Sequence, residues 1–140
     1  VIKMSLAVAS LLMAAPSLAH AATLGITVTN IPDATGTIRI AVCTKHEFLS
    51  PMCAYHEVVP SHPGQVHVSI QDIPSGIYAV QVFQDRNDNE KLDKNFFGIP
   101  QEPLGFSRNP AMHFGPPGFA DSAFSLSNQN SEISLALKTK

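Results

Sequence analysis

A period of two constrains this chain more than any other feature. Leu24, Ile26 and Val28 share one face of the run from Leu24 to Ile31, with Gly25, Thr27 and Thr29 on the other. Ile38, Ile40 and Val42 do the same within Thr37–Cys43, Val66, Val68 and Ile70 within Gln65–Ile70, and Ile133, Leu135 and Leu137 within Glu132–Lys138. Successive side chains of a strand point to opposite faces, so each run is a half-buried strand. The first two, joined by Pro32-Asp33 and Gly36, read as a hairpin. A further run, Ile77 to Gln84, is apolar on both faces: Tyr78, Val80 and Val82 on one, Ile77, Ala79 and Phe83 on the other. That pattern reads as a central strand covered on both sides. Phe119 to Leu126 adds a strand built on Phe124 and Leu126. Lys45 to Pro63 reads as irregular, with one helical turn at Glu47-Phe48-Leu49 and prolines at 51, 60 and 63. The pattern predicts one all-β domain over residues 22–140, an antiparallel β-sandwich of about seven strands.

The N-terminal segment has a different logic. Lys3 precedes a short apolar run, Met4 to Ala15, followed by Pro16-Ser17-Leu18 and the small-x-small triplet Ala19-His20-Ala21. This is the layout of a secretory signal peptide over residues 1–21, cleaved after Ala21. The run is too short to cross about 30 Å of hydrocarbon. No cysteine stands at the cleavage point, which argues against a lipoprotein. The expected mature protein is periplasmic or secreted and has no membrane span. A net charge of −2 and a charged fraction of 14% carry no basic footprint for a nucleic acid.

The central strand runs directly into Asp85-Arg86-Asn87-Asp88-Asn89-Glu90-Lys91-Leu92-Asp93. Asp85, Asn87 and Asn89 alternate, and Asp93 follows four residues later. Calcium takes six to eight hard oxygen ligands, and a tight loop can turn alternate residues inward around it. With Asp85 as position one, Asn87, Asn89, Lys91 and Asp93 fall at three, five, seven and nine. Position seven of an EF-hand loop contributes a backbone carbonyl, which Lys91 can supply. Glu90 stands where the sharp turn wants glycine, and Phe96 where a bidentate Glu is expected. Glu90, Glu102 and Asp121 are candidates for the missing carboxylate. The other reading is an Asx-rich turn that needs no ion, because Asp and Asn can satisfy loop backbone themselves.

Cys43 and Cys53 are the only cysteines. In an oxidising compartment a disulfide between them is the default. The order Cys43-x-x-His46 and Cys53-x-x-His56, with Met52 adjacent, also suits a zinc or copper site built from His46, Met52 and His56 with the thiolates. His62 and His67 read as solvated. Residues 96 to 117 form a long Pro-, Gly- and Asn-rich loop. Its Phe96, Phe97 and Phe106 either plug the core or form an exposed aromatic surface.

Two stretches carry a family resemblance. Gly76 to Asn89 with Leu92-Asp93, then Phe97-Gly98-Ile99-Pro100-Gln101-Glu102-Pro103-Leu104-Gly105-Phe106-Ser107, resemble an uncharacterised family of small exported bacterial proteins catalogued as domain of unknown function 2141. Its pattern is roughly G-x-Y-A-x-x-x-x-x-D-x-N-x-N-G-x-x-D, then G-I-P-x-E-x-x-G-F-S. Glu90 departs from it at a glycine. The resemblance implies an immunoglobulin-like or prealbumin-like sandwich from mostly Gram-negative cells and no established activity. The loop also looks like those of calcium-binding B repeats in bacterial surface adhesins, where calcium stiffens a sandwich. No G-x-S-x-G, H-E-x-x-H or phosphate-loop motif is present. The functional expectation is a non-enzymatic module for an unknown protein or glycan, with calcium as its cofactor. A periplasmic transition-metal protein and an unrecognised enzyme are the alternatives.

Overall fold

The computed structural model describes residues 2–3, 7–15 and 21–139. Residues 7–15 are exposed and form no strand or helix. Met4, Pro16-Ser17-Leu18, Ala19 and His20, which belong to the expected signal peptide, lie outside the described residues. Eight strands follow: β1 (Ala22–Ile31), β2 (Thr37–Cys43), β3 (Tyr55–Pro60), β4 (Gly64–Ile73), β5 (Gly76–Asp85), β6 (Leu104–Phe106), β7 (Phe124–Leu126) and β8 (Ser131–Ala136). A single helical turn, α1 (Phe119–Ser122), precedes β7.

The strands form two sheets. One has the order β4-β1-β8 and the other β3-β2-β5-β6, with β7 paired to the start of β5. The alternation seen in the sequence becomes the core between them. Leu24, Ile26, Val28 and Leu135 from one sheet meet Ile38, Ile40, Val42, Tyr78, Val80 and Val82 from the other, all buried. Val66 and Ile133 pack half-buried at its margin. Every named strand and every described core residue lies at or beyond Ala22.

The structure corrects several expectations. β1 and β2 are not a hairpin; they lie in different sheets, and the 32–36 turn crosses between layers. Alternation satisfies either arrangement, since both bury the same faces. β1 pairs with β4 antiparallel but with β8 in parallel, so the sandwich is not wholly antiparallel. Part of the irregular region is β3, which pairs with β2. Only Tyr55 and Val59 pack half-buried against the core and its other four residues are exposed, which leaves no apolar face of period two. The stretch from Phe119 begins as a helical turn, with the Asp121 carboxylate accepting from Gly118 N (3.1 Å), and only 124–126 is strand. β5 is central, but only one of its faces is fully covered: Ile77 is exposed and Phe83 half-buried. Phe106 is a buried core plug, whereas Phe96 and Phe97 are exposed.

Cys43, at the end of β2, forms a disulfide with Cys53, their Cα atoms 5.1 Å apart. This ties down the 44–54 loop. Gln81, on the outer face of β5, completes the attachment. Its Nε2 donates to Ser50 O (2.8 Å) and its Oε1 accepts from Leu49 N (2.9 Å).

Candidate functional site

Asp85 is the last residue of β5 and is buried. Its Oδ1 accepts from Asn89 N (3.2 Å) and its Oδ2 from Glu90 N (2.8 Å). Asn87 Oδ1 accepts from Asn89 N (3.3 Å), and Asn89 Oδ1 from Lys91 N (3.1 Å). The Asn87 and Asn89 bonds are successive Asx turns, in which a short side chain stands in for backbone two residues on, and Asp85 reaches four and five residues on. They curl the loop so that alternate side chains converge. Asn87 and Asn89 donate their Nδ2 groups to the two oxygens of Asp93, at 2.7 and 2.8 Å. Asp85, Asn87, Asn89 and Asp93 thus share one hydrogen-bonded loop. Lys91 contributes backbone; its side chain is exposed.

Glu90 resolves the question posed by its position. Its φ is 67°, the left-handed conformation a glycine would supply there. The sharp turn is therefore kept, at a cost of roughly 1–2 kcal/mol for a residue with a Cβ. Arg39 Nη2 lies 3.8 Å from Glu90 Oε1, but Glu90 is largely exposed and the pair offsets little of that strain. Asp88, at φ 52°, is held by Thr37 Oγ1 (2.9 Å).

Of Glu90, Glu102 and Asp121, Glu102 is the one whose carboxylate packs against the loop backbone. It comes from the 98–107 block, sixteen residues beyond Arg86. Its Oε2 accepts from Arg86 N (2.6 Å) and its Oε1 from Asp93 N (2.9 Å). One buried carboxylate therefore clasps both ends of the loop. Burial is the chief cause that raises its carboxyl above the ordinary range; the Asp93 and Asp85 carboxylates add to this and the two N–H donors oppose it. Asp121 caps α1 instead, and Glu90 points outward.

Two residues outside the motif hold the loop to the sheet. Arg39 Nε donates to Asp85 Oδ2 at 2.7 Å, neutralising a carboxylate that burial would otherwise penalise. Gln84, fully buried, donates to Thr35 O (2.8 Å) and Asp33 Oδ1 (3.0 Å), anchoring the 33–36 turn beside the loop. Arg86 Nη2 reaches Asp33 Oδ2 at 2.8 Å, and that guanidinium chiefly holds the Asp33 carboxyl well below the usual range. In sequence, Arg39 showed only as the one charge in the β2 alternation, and Gln84 as a polar residue at an inward register position.

The disulfide takes both sulfurs, so neither Cys-x-x-His pair keeps a thiolate for a metal. His56 Nδ1 sits 3.2 Å from Cys53 O, while Met52 and His46 are exposed. Among the described residues, no three His, Cys, Asp or Glu side chains are grouped to hold a metal ion. The loop's set is different in kind: two aspartates, two asparagines and backbone.

A two-sheet sandwich whose central strand exits into an Asx-turn loop, clasped by a distant glutamate, defines the class of protein. The chain belongs to the family described as uncharacterized protein conserved in bacteria (DUF2141), whose model matches residues 26–134. The matched span runs from β1 into β8 and contains the whole loop and its clasp. No significant match was found among curated proteins or solved structures. Among the described residues, no helix is long and apolar enough to cross a membrane.

Proposed function

We propose that this protein is an exported, non-enzymatic β-sandwich module in which residues 85–93 are a structural calcium loop. One observation carries the reading: consecutive Asx turns and the left-handed Glu90 direct Asp85, Asn87, Asn89 and Asp93 to one place. Those side chains and the Lys91 carbonyl offer only hard oxygen donors, the chemistry calcium selects. The fit requires one adjustment. Asn87 and Asn89 now aim their amide nitrogens at Asp93, and a half-turn of either amide presents oxygen in the same place. For Asn87 this gives up the 2.7 Å bond to Asp93 Oδ2 and the long 3.3 Å contact to Asn89 N, and an ion between the oxygens replaces the first. Asp85 Oδ2 accepts from both Arg39 Nε and Glu90 N, whereas Oδ1 accepts only the longer 3.2 Å bond from Asn89 N and keeps a lone pair for an ion. When bound, the ion would supply positive charge beside Asp85, Asp93 and Glu102 and stiffen the exit from β5.

Glu102 is a positioning residue in this reading: its two oxygens accept from Arg86 N and Asp93 N and hold the two ends of the loop. Calcium titration followed by thermal melting tests the reading. At tenfold above the dissociation constant, binding stabilises by about 1.4 kcal/mol, which raises Tm by a few degrees. Asp93→Ala abolishes that increment. An unchanged Tm at millimolar calcium would falsify the proposal.

A further inference from the structure

The hairpin that follows the loop carries a feature the ion does not explain. Asn95 N donates to Ile99 O and Gly98 N to Asn95 O, both at 2.9 Å. Asn95 Oδ1 accepts from Phe97 N (2.9 Å) and Ile99 N (3.0 Å). Lys94 and Pro100 bridge below, and Gln101 N donates to Asp93 O (2.8 Å). Gly98, at φ 77°, makes the reversal without a Cβ penalty. This is a built, hydrogen-bonded turn, and it holds Phe96 and Phe97 in water at 98% and 82% exposure. Their rings meet edge to face, with centroids 5.5 Å apart. Phe97 and Ile99 line a groove shared with Met112 and Phe114 of the 110–117 loop, and Phe114 is also fully exposed.

Within the hairpin itself the exposed charges have one sign, whereas the exposed Glu57 and Glu90 line the groove beside it, Glu90 lying 3.8 Å from Arg39 Nη2. Between 91 and 101 the exposed charged side chains are Lys91 and Lys94. Asp93 is the only acid among those residues, and its carboxylate is turned into the loop by Asn87 and Asn89. Residues 110–117 contain no acid and one histidine, His113. The whole chain, by contrast, has a net charge of −2. A convex, rigid pair of phenylalanines flanked by cations matches a bilayer interface, where rings enter the acyl boundary and lysines reach anionic headgroups.

We propose that the Phe96-Phe97 tip docks this module onto an anionic lipid surface. The proposal does not depend on the calcium reading, because the turn's own hydrogen bonds form the tip. The test uses the chain from residue 22 onward, which holds every described core residue and omits the apolar N-terminal run. It is mixed with vesicles of phosphatidylethanolamine and phosphatidylglycerol, or of phosphatidylcholine alone, and sedimented at fixed calcium. Wild type partitions onto the anionic vesicles, and Phe96→Ser/Phe97→Ser weakens that by roughly tenfold or more, from the loss of two buried rings. Lys91→Gln/Lys94→Gln weakens it by about tenfold at low salt and leaves little salt dependence. All four residues are exposed, so unchanged melting temperatures confirm that the variants fold. Equal binding by the double-Ser variant, no vesicle binding by wild type, or equal binding to phosphatidylcholine overturns the proposal. So does a tip-dependent protein partner found in the absence of vesicle binding.

Discussion

Glu102→Gln tests the clasp directly. The wild-type side chain is buried and accepts from Arg86 N and Asp93 N, one on each oxygen. Glutamine keeps one acceptor. Its amide nitrogen then faces a backbone N–H, donor against donor. A hydrogen bond to a charged group contributes about 1.5–3 kcal/mol, and a stranded buried donor costs about 1–3 kcal/mol. Against this, the variant no longer buries a charge near Asp93 and Asp85, which offsets part of the loss. The expected net destabilisation is about 2 kcal/mol at pH 7, or roughly 6–10 °C in Tm for a domain of this size. Urea unfolding of both proteins at several pH values measures it. The sign of the pH dependence follows from the raised carboxyl. A carboxyl raised in the folded state contributes most below its unfolded range and loses part as pH rises through its folded value. The glutamine variant lacks that term, so the gap between the two proteins is widest in mild acid and narrows toward neutrality. A variant as stable as wild type at every pH would show that the loop ends are held by something other than Glu102.

Four further outcomes are expected. Glu90→Gly relieves about 1–2 kcal/mol of left-handed strain and restores about 0.4–1 kcal/mol of unfolded-chain freedom. It should therefore raise Tm slightly, and a lowered Tm would mean that the Glu90 side chain has a stabilising role. Gly36→Ala places a Cβ 1.9 Å from Asp85 O at φ 68°, so it should cost about 2–4 kcal/mol in urea unfolding. Asp33→Asn destabilises at pH 7, because a depressed carboxyl contributes above its unfolded range and loses that contribution as pH falls through its folded value. The urea midpoints of variant and wild type should therefore lie closer at pH 3 than at pH 7. Replacing Cys43 and Cys53 by serine costs about 2–3 kcal/mol by freeing the 44–54 loop in the unfolded chain, read as a drop in Tm under non-reducing conditions.

How much could be read in advance differs from element to element. The strands of the core were legible because burial of one face imposes a period of two, and Leu24, Ile38, Val68 and Leu135 all obey it. β3 was not, because an edge strand with four of its six residues exposed carries no such period. The Asx turns of 85–93 were legible because each side chain reaches backbone only a few residues away. The exposure of Phe96 and Phe97 was not, because a phenylalanine in a loop has the same local sequence whether it plugs a core or stands in water.

The sequence by itself determined the all-β class, the inward faces of the strands and the local Asx turns of the loop, since these follow from local side-chain period and short-range hydrogen bonding. Only the tertiary structure decided which strands share a sheet. Alternation is satisfied equally by neighbours in one layer and by partners across the core, so β1 and β2 could be told apart from a hairpin only by their pairing. The same holds for the loop's supports. Arg39 reaches Asp85 across 46 positions of chain and Glu102 reaches Arg86 across 16. No local pattern encodes contacts of that separation; the packing of two sheets brings them within hydrogen-bond distance.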